Sequence, residues 1–369
     1  MALQRLSEAR CKKVRKEGFF TTLVPDLALF GDKKKAYVVI FVRFTGIKQR
    51  RRDSEIKKFN QRYKMLFDSH AHINNDTFTE EEREALIADI EASDLSYVMD
   101  IGFDLPSSEQ AVKDAQRLTW CYAAVGVHPH DAKTMDEDVL RRIKELAGEE
   151  KVQAIGEIGL DFYYNKSEAE DQRYWFRRQI QLANELKMPI VIHSREADQE
   201  TMDILKEEGA FSDERASWFP KRPGPIGASS NETVHQSEQE TVQPGKESPN
   251  CDAADATVEK DCRVLLHCFS GSRELAEQYV KLGATISIAG PVTYKNNRKT
   301  TEVVGAIPIE YLLVETDSPY LTPEPFRGRK NKPPYVEYTA RRVALIKGME
   351  YEDVCRRTLE NAKRFFGIV

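Results

Sequence analysis

From Met65 onward the chain alternates short, near-continuous apolar runs with longer amphipathic stretches, and no other feature limits its possible folds as much. The apolar runs are residues 65–67, 97–99, 122–127, 152–155, 189–192, 264–266, 285–288 and 311–314. Runs of this length without polar alternation suit strands of a parallel sheet covered on both faces. Between them, residues 79–94, 106–118, 136–148, 169–187 and 272–282 carry the apolar spacing of helices. Thr79 with Glu82 three residues on forms a capping-box pattern, and Pro106 suits a first helical turn. Eight βα units over about 250 residues match the size of a (β/α)8 barrel. An open, doubly wound sheet shares the alternation, so the polar residues must separate the two.

Those residues cluster at the ends of the runs. Of the seven histidines, His70, His72, His128, His130, His193 and His267 lie at or just past the end of a run, as do Asp100, Glu157 and Asp317. Strands closed in a ring aim all of them at one centre, whereas an open sheet spreads them along an edge; the expectation is therefore a (β/α)8 TIM barrel. In His70-Ala71-His72 the two-residue period of a strand puts both imidazoles on one side, where they can share a metal. A lone histidine at a strand end is more often structural, but the joint pattern builds a site for two divalent ions. Imidazole with carboxylate suits zinc, manganese or nickel, and magnesium where waters complete the shell. A carboxylate such as Glu157 can bridge two cations while a water between them loses its proton near neutral pH. Asp317 can hold one metal and accept that proton; its alternative reading as a helix N-cap is opposed by Pro319 and Pro323, which predict an extended loop.

Composition marks off two segments from the barrel region 65–369. Residues 1–64 carry 18 Lys/Arg against 6 Asp/Glu, which is +12 and leaves −17 for the rest of a chain whose net charge is −5. This basic N-terminal extension is expected to lie outside the barrel. It reads either as an arm contacting nucleic acid phosphates or, because Met65 opens the first strand directly, as a stretch preceding the natural start; the second reading is expected. Residues 211–262 are rich in Ser, Glu, Gln, Pro and Gly, and 224–249 almost lack large apolar residues, which predicts a disordered insertion. It should leave from the face opposite the chemistry, so His235 within it is not expected to be catalytic. Six scattered cysteines without a CxxC pair predict reduced thiols in a cytoplasmic protein. The apolar run 36–42 is far below the ~20 residues of a membrane span, and Arg43 ends it without a cleavage site, so neither membrane association nor secretion is expected.

His70-Ala71-His72, Gly126-Val127-His128-Pro129-His130, Gly156-Glu157-Ile158-Gly159-Leu160-Asp161, Ile192-His193-Ser194-Arg195, Leu266-His267-Cys268-Phe269-Ser270-Gly271 and Glu315-Thr316-Asp317-Ser318-Pro319-Tyr320-Leu321 follow one another in order. Arg327-Gly328 and Asn331-Lys332-Pro333 complete the series. Together they resemble the successive signatures of TatD-type metal-dependent deoxyribonucleases, over residues 65–369 outside the insertion. The resemblance implies a barrel of the metal-dependent hydrolase superfamily in which His70, His72, Glu157 and Asp317 hold a first metal and Glu157 bridges to a second held by His193 and His267. Many members of that superfamily bridge their metals with a carboxylated lysine; Glu157 in its place favours the nuclease branch. No role for residues 1–64 or 211–262 comes with the resemblance. His128 and His130 are outside the implied ligand set, and at least one is expected to face the substrate, touching a phosphate or protonating a leaving oxygen. For His130 a loop histidine bonded to backbone is an equal reading. Arg195 and Arg327 are candidate phosphate clamps, against the alternative of surface ion pairs, for Arg195 beside Glu196 in particular.

The expected function is a metal-dependent phosphodiesterase acting on DNA, on single strands or frayed ends, because the phosphate must reach metals at the bottom of a barrel mouth. Glu157 and Asp317 are its expected catalytic residues. The −17 charge of residues 65–369 argues for a local grip on phosphate rather than extensive duplex binding. One competitor is an ester or amide hydrolase of the same fold, for instance on aminoacylated tRNA. Another is a non-catalytic metal-dependent binding module, which the intact carboxylates Glu157 and Asp317 oppose. No obligate protein partner is indicated.

Overall fold

Each apolar run becomes a parallel strand. In the computed structural model, which describes residues 64–222 and 260–369, these are β1 (Leu66–Ala71), β2 (Leu95–Ile101), β3 (Cys121–Val125), β4 (Val152–Asp161), β5 (Ile190–Arg195), β6 (Val264–Leu266), β7 (Thr285–Ile288) and β8 (Leu312–Val314). Their spatial order is their chain order, every neighbouring pair is parallel, and the ring closes where Ala71 bridges Ser318. Side chains tighten the closure: Thr316 donates from both its backbone N–H and its hydroxyl to the Asp68 carboxylate at 2.8 and 2.5 Å. Burial pushes the Asp68 carboxyl well above its ordinary value.

Helices α1 (Glu80–Ala92), α2 (Leu105–Arg117), α3 (Glu137–Ala147), α4 (Ala169–Leu186), α5 (Asp198–Glu207), α6 (Asp213–Ser217), α7 (Arg273–Lys281), α8 (Arg298–Ala306), α9 (Val336–Lys347) and α10 (Tyr351–Phe366) follow the strands. The Thr79 capping box forms as its sequence requires, with Thr79 Oγ1 accepting from Glu82 N and Glu82 Oε2 accepting from Thr79 N. Four strands outrun their apolar runs, β1 to Ala71 and β2 to Ile101 among them. β4 continues to Asp161 and β5 to Arg195, with Gly159 paired to His193 and Asp161 to Arg195, because backbone pairing continues where the apolar side chains stop. Glu157 and His193 therefore stand on strands rather than on the loops after them.

Inside the ring, Phe67, Met99, Ala124, Ala154, Val191, Leu265 and Leu313 form one apolar cluster with Phe365 and Phe366 of α10. The C-terminal helix thus floors the barrel, Phe366 stacking on Phe67 at 5.8 Å, and the opposite mouth is left for polar chemistry.

The basic segment up to residue 63, His235 and residues 223–259 of the insertion lie outside the described residues. The two ends of the segment 211–262 are not structureless. Arg215 is fully buried, donating to Cys262 O, Asn184 Oδ1 and Met188 O, and Arg222 donates to Glu310 O beneath β8. Phe211 is buried beside them. Polar composition concealed this packing because two guanidinium groups, rather than apolar side chains, tie these flanks to backbone carbonyls. Among the described residues no helix is long and apolar enough to cross a membrane.

Candidate metal centre

Of the eleven residues singled out from the sequence the mouth brings together eight; Arg195 and Arg327 lie around its rim, and the Asp100 carboxylate instead accepts the backbone N–H groups of Ile73 and Asn74 at 2.8 and 3.2 Å. At the centre, Glu157 spreads its two oxygens over two histidine groups. Oε2 stands 3.4 Å from His70 Nε2 and 3.7 Å from His72 Nε2, and Oε1 stands 2.8 Å from His193 Nδ1 and 2.7 Å from His267 Nε2. Asp317 Oδ1 closes the first group at 3.5 Å from His72 Nε2. Glu157 and its neighbours on β5 approach closely because Gly159 separates Glu157 from Asp161; a Cβ there would meet His193 O at 1.9 Å. Asp317 has left-handed backbone, φ 56°, fixed by its N–H donating to His70 O and by its own carbonyl accepting from Tyr320 N. No helix begins at Asp317, so the N-cap reading does not apply.

Each ring's far nitrogen decides what its near nitrogen can do. His72 Nδ1 faces Ile101 O at 2.8 Å and must donate to it, which leaves Nε2 as a lone pair. His193 Nε2 faces Asp161 Oδ2 at 3.2 Å and donates, leaving Nδ1 as the lone pair toward Glu157. His267 Nδ1 faces Glu315 Oε1 at 3.4 Å, leaving Nε2. In their neutral forms these rings thus point three lone pairs at two carboxylates, Glu157 and Asp317, that are acceptors themselves. Acceptors facing acceptors inside a buried cup are what a divalent cation satisfies, and the atoms of His70, Glu157 and His267, like those of His70, His72 and Asp317, lie within 4.8 Å of one another. The residues present fit the metal that the sequence implied.

His128 has the opposite arrangement. Its Nδ1 accepts the backbone N–H of His130 at 3.0 Å, so the neutral ring carries its proton on Nε2, 3.5 Å from Glu157 Oε1. Burial pushes the His128 imidazole well below its ordinary value and keeps it neutral. It is therefore a donor aimed into the cup, although it stands as near to Glu157 as the ligand candidates do. His130 donates from Nε2 to Asp161 Oδ2 at 2.9 Å and does not reach Glu157.

The electrostatics follow from the same contacts. Burial alone would raise the Glu157 carboxyl, but His267, His128 and His193 hold it well below the usual carboxylate range. Burial likewise opposes protonation of His267, yet Glu157 and Glu315 outweigh it and raise that imidazole well above its ordinary value, so a cation bound at Nε2 would take the place of a proton.

Two supporting residues were not singled out from the sequence. Asp161 and Glu315 both lie in motifs quoted above, and neither is on the surface. Asp161 had a signal: on strand β4 it is four residues from Glu157 and so shares its face. Glu315 had none, since its role depends on the turn of the chain toward His267. Arg195 makes no ion pair with Glu196; its guanidinium lies over Tyr163 and Tyr164 at 4.1 and 4.6 Å. Arg327 lies over Tyr294 at 4.5 Å.

Known proteins resemble this chain in sequence and in fold. The family described as TatD related DNase matches residues 67–367. The uncharacterized metal-dependent hydrolase YabD of Bacillus subtilis (strain 168) is 38% identical over 304 residues, 82% of this chain and all of that protein. The protein named 3'-5' ssDNA/RNA exonuclease TatD from Klebsiella pneumoniae (strain 342) is 30% identical over 308 residues, 82% of this chain and 98% of its own length. Among solved structures, the TatD homologue YJJV of Escherichia coli superposes with a TM-score of 0.66 at 22% identity, covering 83% of this chain and 100% of that one, a likeness of fold.

Proposed function

Since the chain belongs to the TatD family of metal-dependent hydrolases, we propose that it is a deoxyribonuclease that hydrolyses phosphodiester bonds of single strands or frayed ends, in the cytoplasm, at a site for two divalent ions. In this reading His70, His72, Glu157 and Asp317 hold one ion, and Glu157, His193 and His267 the other. When bound, such ions neutralise phosphate charge and acidify a water. The chain's own residues do the rest. Glu157 Oε1 and Oε2 keep the two histidine groups at one spacing, Asp317 Oδ1 offers an acceptor for a proton leaving the nucleophile, and His128 Nε2–H offers a donor to an oxygen of the substrate or leaving group.

One observation favours a polyanion over a neutral ester. Beside the mouth, Lys295, Arg298, Lys299 and Arg327 line a cleft of about 580 Å³ with a single carboxylate, Glu324, and one wall is Ser270, three residues beyond His267. Many cations of the helix shell pair with carboxylates, as in Arg142 with Glu109 and Arg177 with Glu208, whereas these four, gathered at one cleft, form no ion pair among the described residues. Unpaired cations in a barrel region of charge −17 suit a phosphate backbone. The relatives named as ssDNA/RNA exonucleases agree with this reading.

The test compares an end-labelled single-stranded oligonucleotide with an aminoacylated tRNA, across manganese, magnesium, zinc and nickel, alongside metal analysis of the protein. Metal-dependent cleavage of the oligonucleotide is expected. Cleavage that survives chelation, or hydrolysis of the aminoacyl ester alone, overturns the proposal.

A further inference from the structure

The loop after β4 carries a cluster that none of the steps above uses. Tyr163 and Tyr164 follow Asp161 directly in space, because their backbone N–H groups both donate to Asp161 Oδ1, at 3.0 and 2.9 Å. The same carboxylate holds His193 through its other oxygen. The two tyrosine rings meet edge to face at 4.9 Å, and the Arg195 guanidinium from the end of β5 covers both. Tyr164 is further engaged by the edge of His130 at 5.5 Å and by Lys166 at 5.8 Å. Among the described residues Tyr163 has no such additional partner, and it is 58% exposed.

This exposure belongs to a pattern. Among the described residues, the large apolar side chains left open to solvent are Tyr163, Tyr164, Tyr174, Tyr320, Leu321, Leu345 and Val369. Four of the seven, Tyr163, Tyr164, Tyr320 and Leu321, follow the strands that deliver Glu157 and Asp317. Apolar surface is therefore concentrated at the rim of a charged cup. A protein face that bound only phosphate would gain nothing from it. An exposed aromatic ring with a guanidinium against it is suited to stacking a planar π system, and the guanidinium, free of any carboxylate among the described residues, complements the attached phosphate.

Resting on the nuclease reading above, we propose that Tyr163, backed by Arg195, is the stacking platform for an unpaired nucleobase of the bound strand. A base inside a duplex has both faces covered by its neighbours, so only an unpaired or terminal base can use the ring. The platform is anchored to Asp161, which also anchors His193, so base and metal centre keep a fixed spacing. The single-strand requirement then originates in this loop as well as in the depth of the mouth.

The experiment measures binding of two fluorescent oligomers of equal length by the manganese-loaded full chain, using fluorescence anisotropy. One is an oligothymidylate and the other its abasic counterpart, both with cleavage-resistant phosphorothioate linkages. Base stacking is worth about 5- to 150-fold in affinity per base. The wild type is expected to bind the oligothymidylate more tightly than the abasic strand by at least the lower factor. Tyr163→Ala is expected to lose that preference with unchanged affinity for the abasic strand, and Tyr163→Phe to keep it, circular dichroism confirming that both variants fold. Equal affinities of Tyr163→Ala and wild type for the oligothymidylate, or an equal loss on both strands, overturns the platform while leaving the nuclease reading standing. A wild type that binds neither strand overturns the nuclease reading, and the platform with it.

Discussion

Asp161 holds His193 by its Nε2 at 3.2 Å and thereby turns the Nδ1 lone pair toward Glu157. The orientation of one candidate ligand is thus set by a residue that the family resemblance did not assign to the metal, and removing the charge should act through His193. Asp161→Asn is expected to weaken divalent-ion binding by about 10- to 100-fold with the fold intact. Competition with a chromophoric chelator measures this; unchanged affinity would show that His193 needs no such anchor.

His128 should separate metal binding from catalysis. Its Nδ1 is occupied by the His130 N–H, so Nε2 is a donor and not a ligand. His128→Ala is expected to lower turnover by about 10² to 10⁴ while metal content, read by elemental analysis, stays at the wild-type level. Loss of a metal equivalent in this variant would place His128 in the ligand set after all.

The cation-lined cleft predicts a particular salt response. Each phosphate contact to a single strand contributes about 0.7 to the slope of log affinity against log salt. Lys295→Ala combined with Arg298→Ala should therefore flatten the slope by about 1.4 and weaken oligonucleotide binding at low salt. A slope equal to that of the wild type would remove the cleft from the path of the strand.

Metal should also stabilise the protein, since His70, His72, Glu157, His193, His267 and Asp317 come together only in the folded barrel. At a free ion concentration 100 times its dissociation constant, one bound ion adds about 2.7 kcal/mol. Manganese is expected to raise the thermal midpoint and chelation to reverse the change. In Glu157→Ala the shift should be largely absent; a full shift in that variant would mean that the ion binds elsewhere.

The floor of the barrel is a matter of stability alone. Phe365 is fully buried between α10 and the strand interior, so Phe365→Ala should cost about 3–5 kcal/mol in denaturant titrations. Metal affinity per folded molecule should be unchanged. A cost below about 1 kcal/mol would indicate that the cluster collapses to fill the gap.

The sequence by itself determined the ring of eight strands, because continuous apolar runs and amphipathic stretches follow from which faces each element must bury. It also placed His70, His72, Glu157, His193, His267 and Asp317 at one mouth, since strand ends of a closed ring have nowhere else to point. What it did not contain is the state of each ring nitrogen. That the neutral rings of His72, His193 and His267 present lone pairs while His128 presents a proton depends on Ile101 O, Asp161, Glu315 and the backbone of His130 lying at hydrogen-bond distance or close to it. Apart from the local His130 contact, these partners come from elsewhere along the chain. Likewise the flanks of the insertion read as polar and structureless, yet Arg215 and Arg222 are buried because carbonyls at the base of the barrel receive them. A side chain's chemistry is set by the atom facing it, and only the closed barrel decides which atom that is.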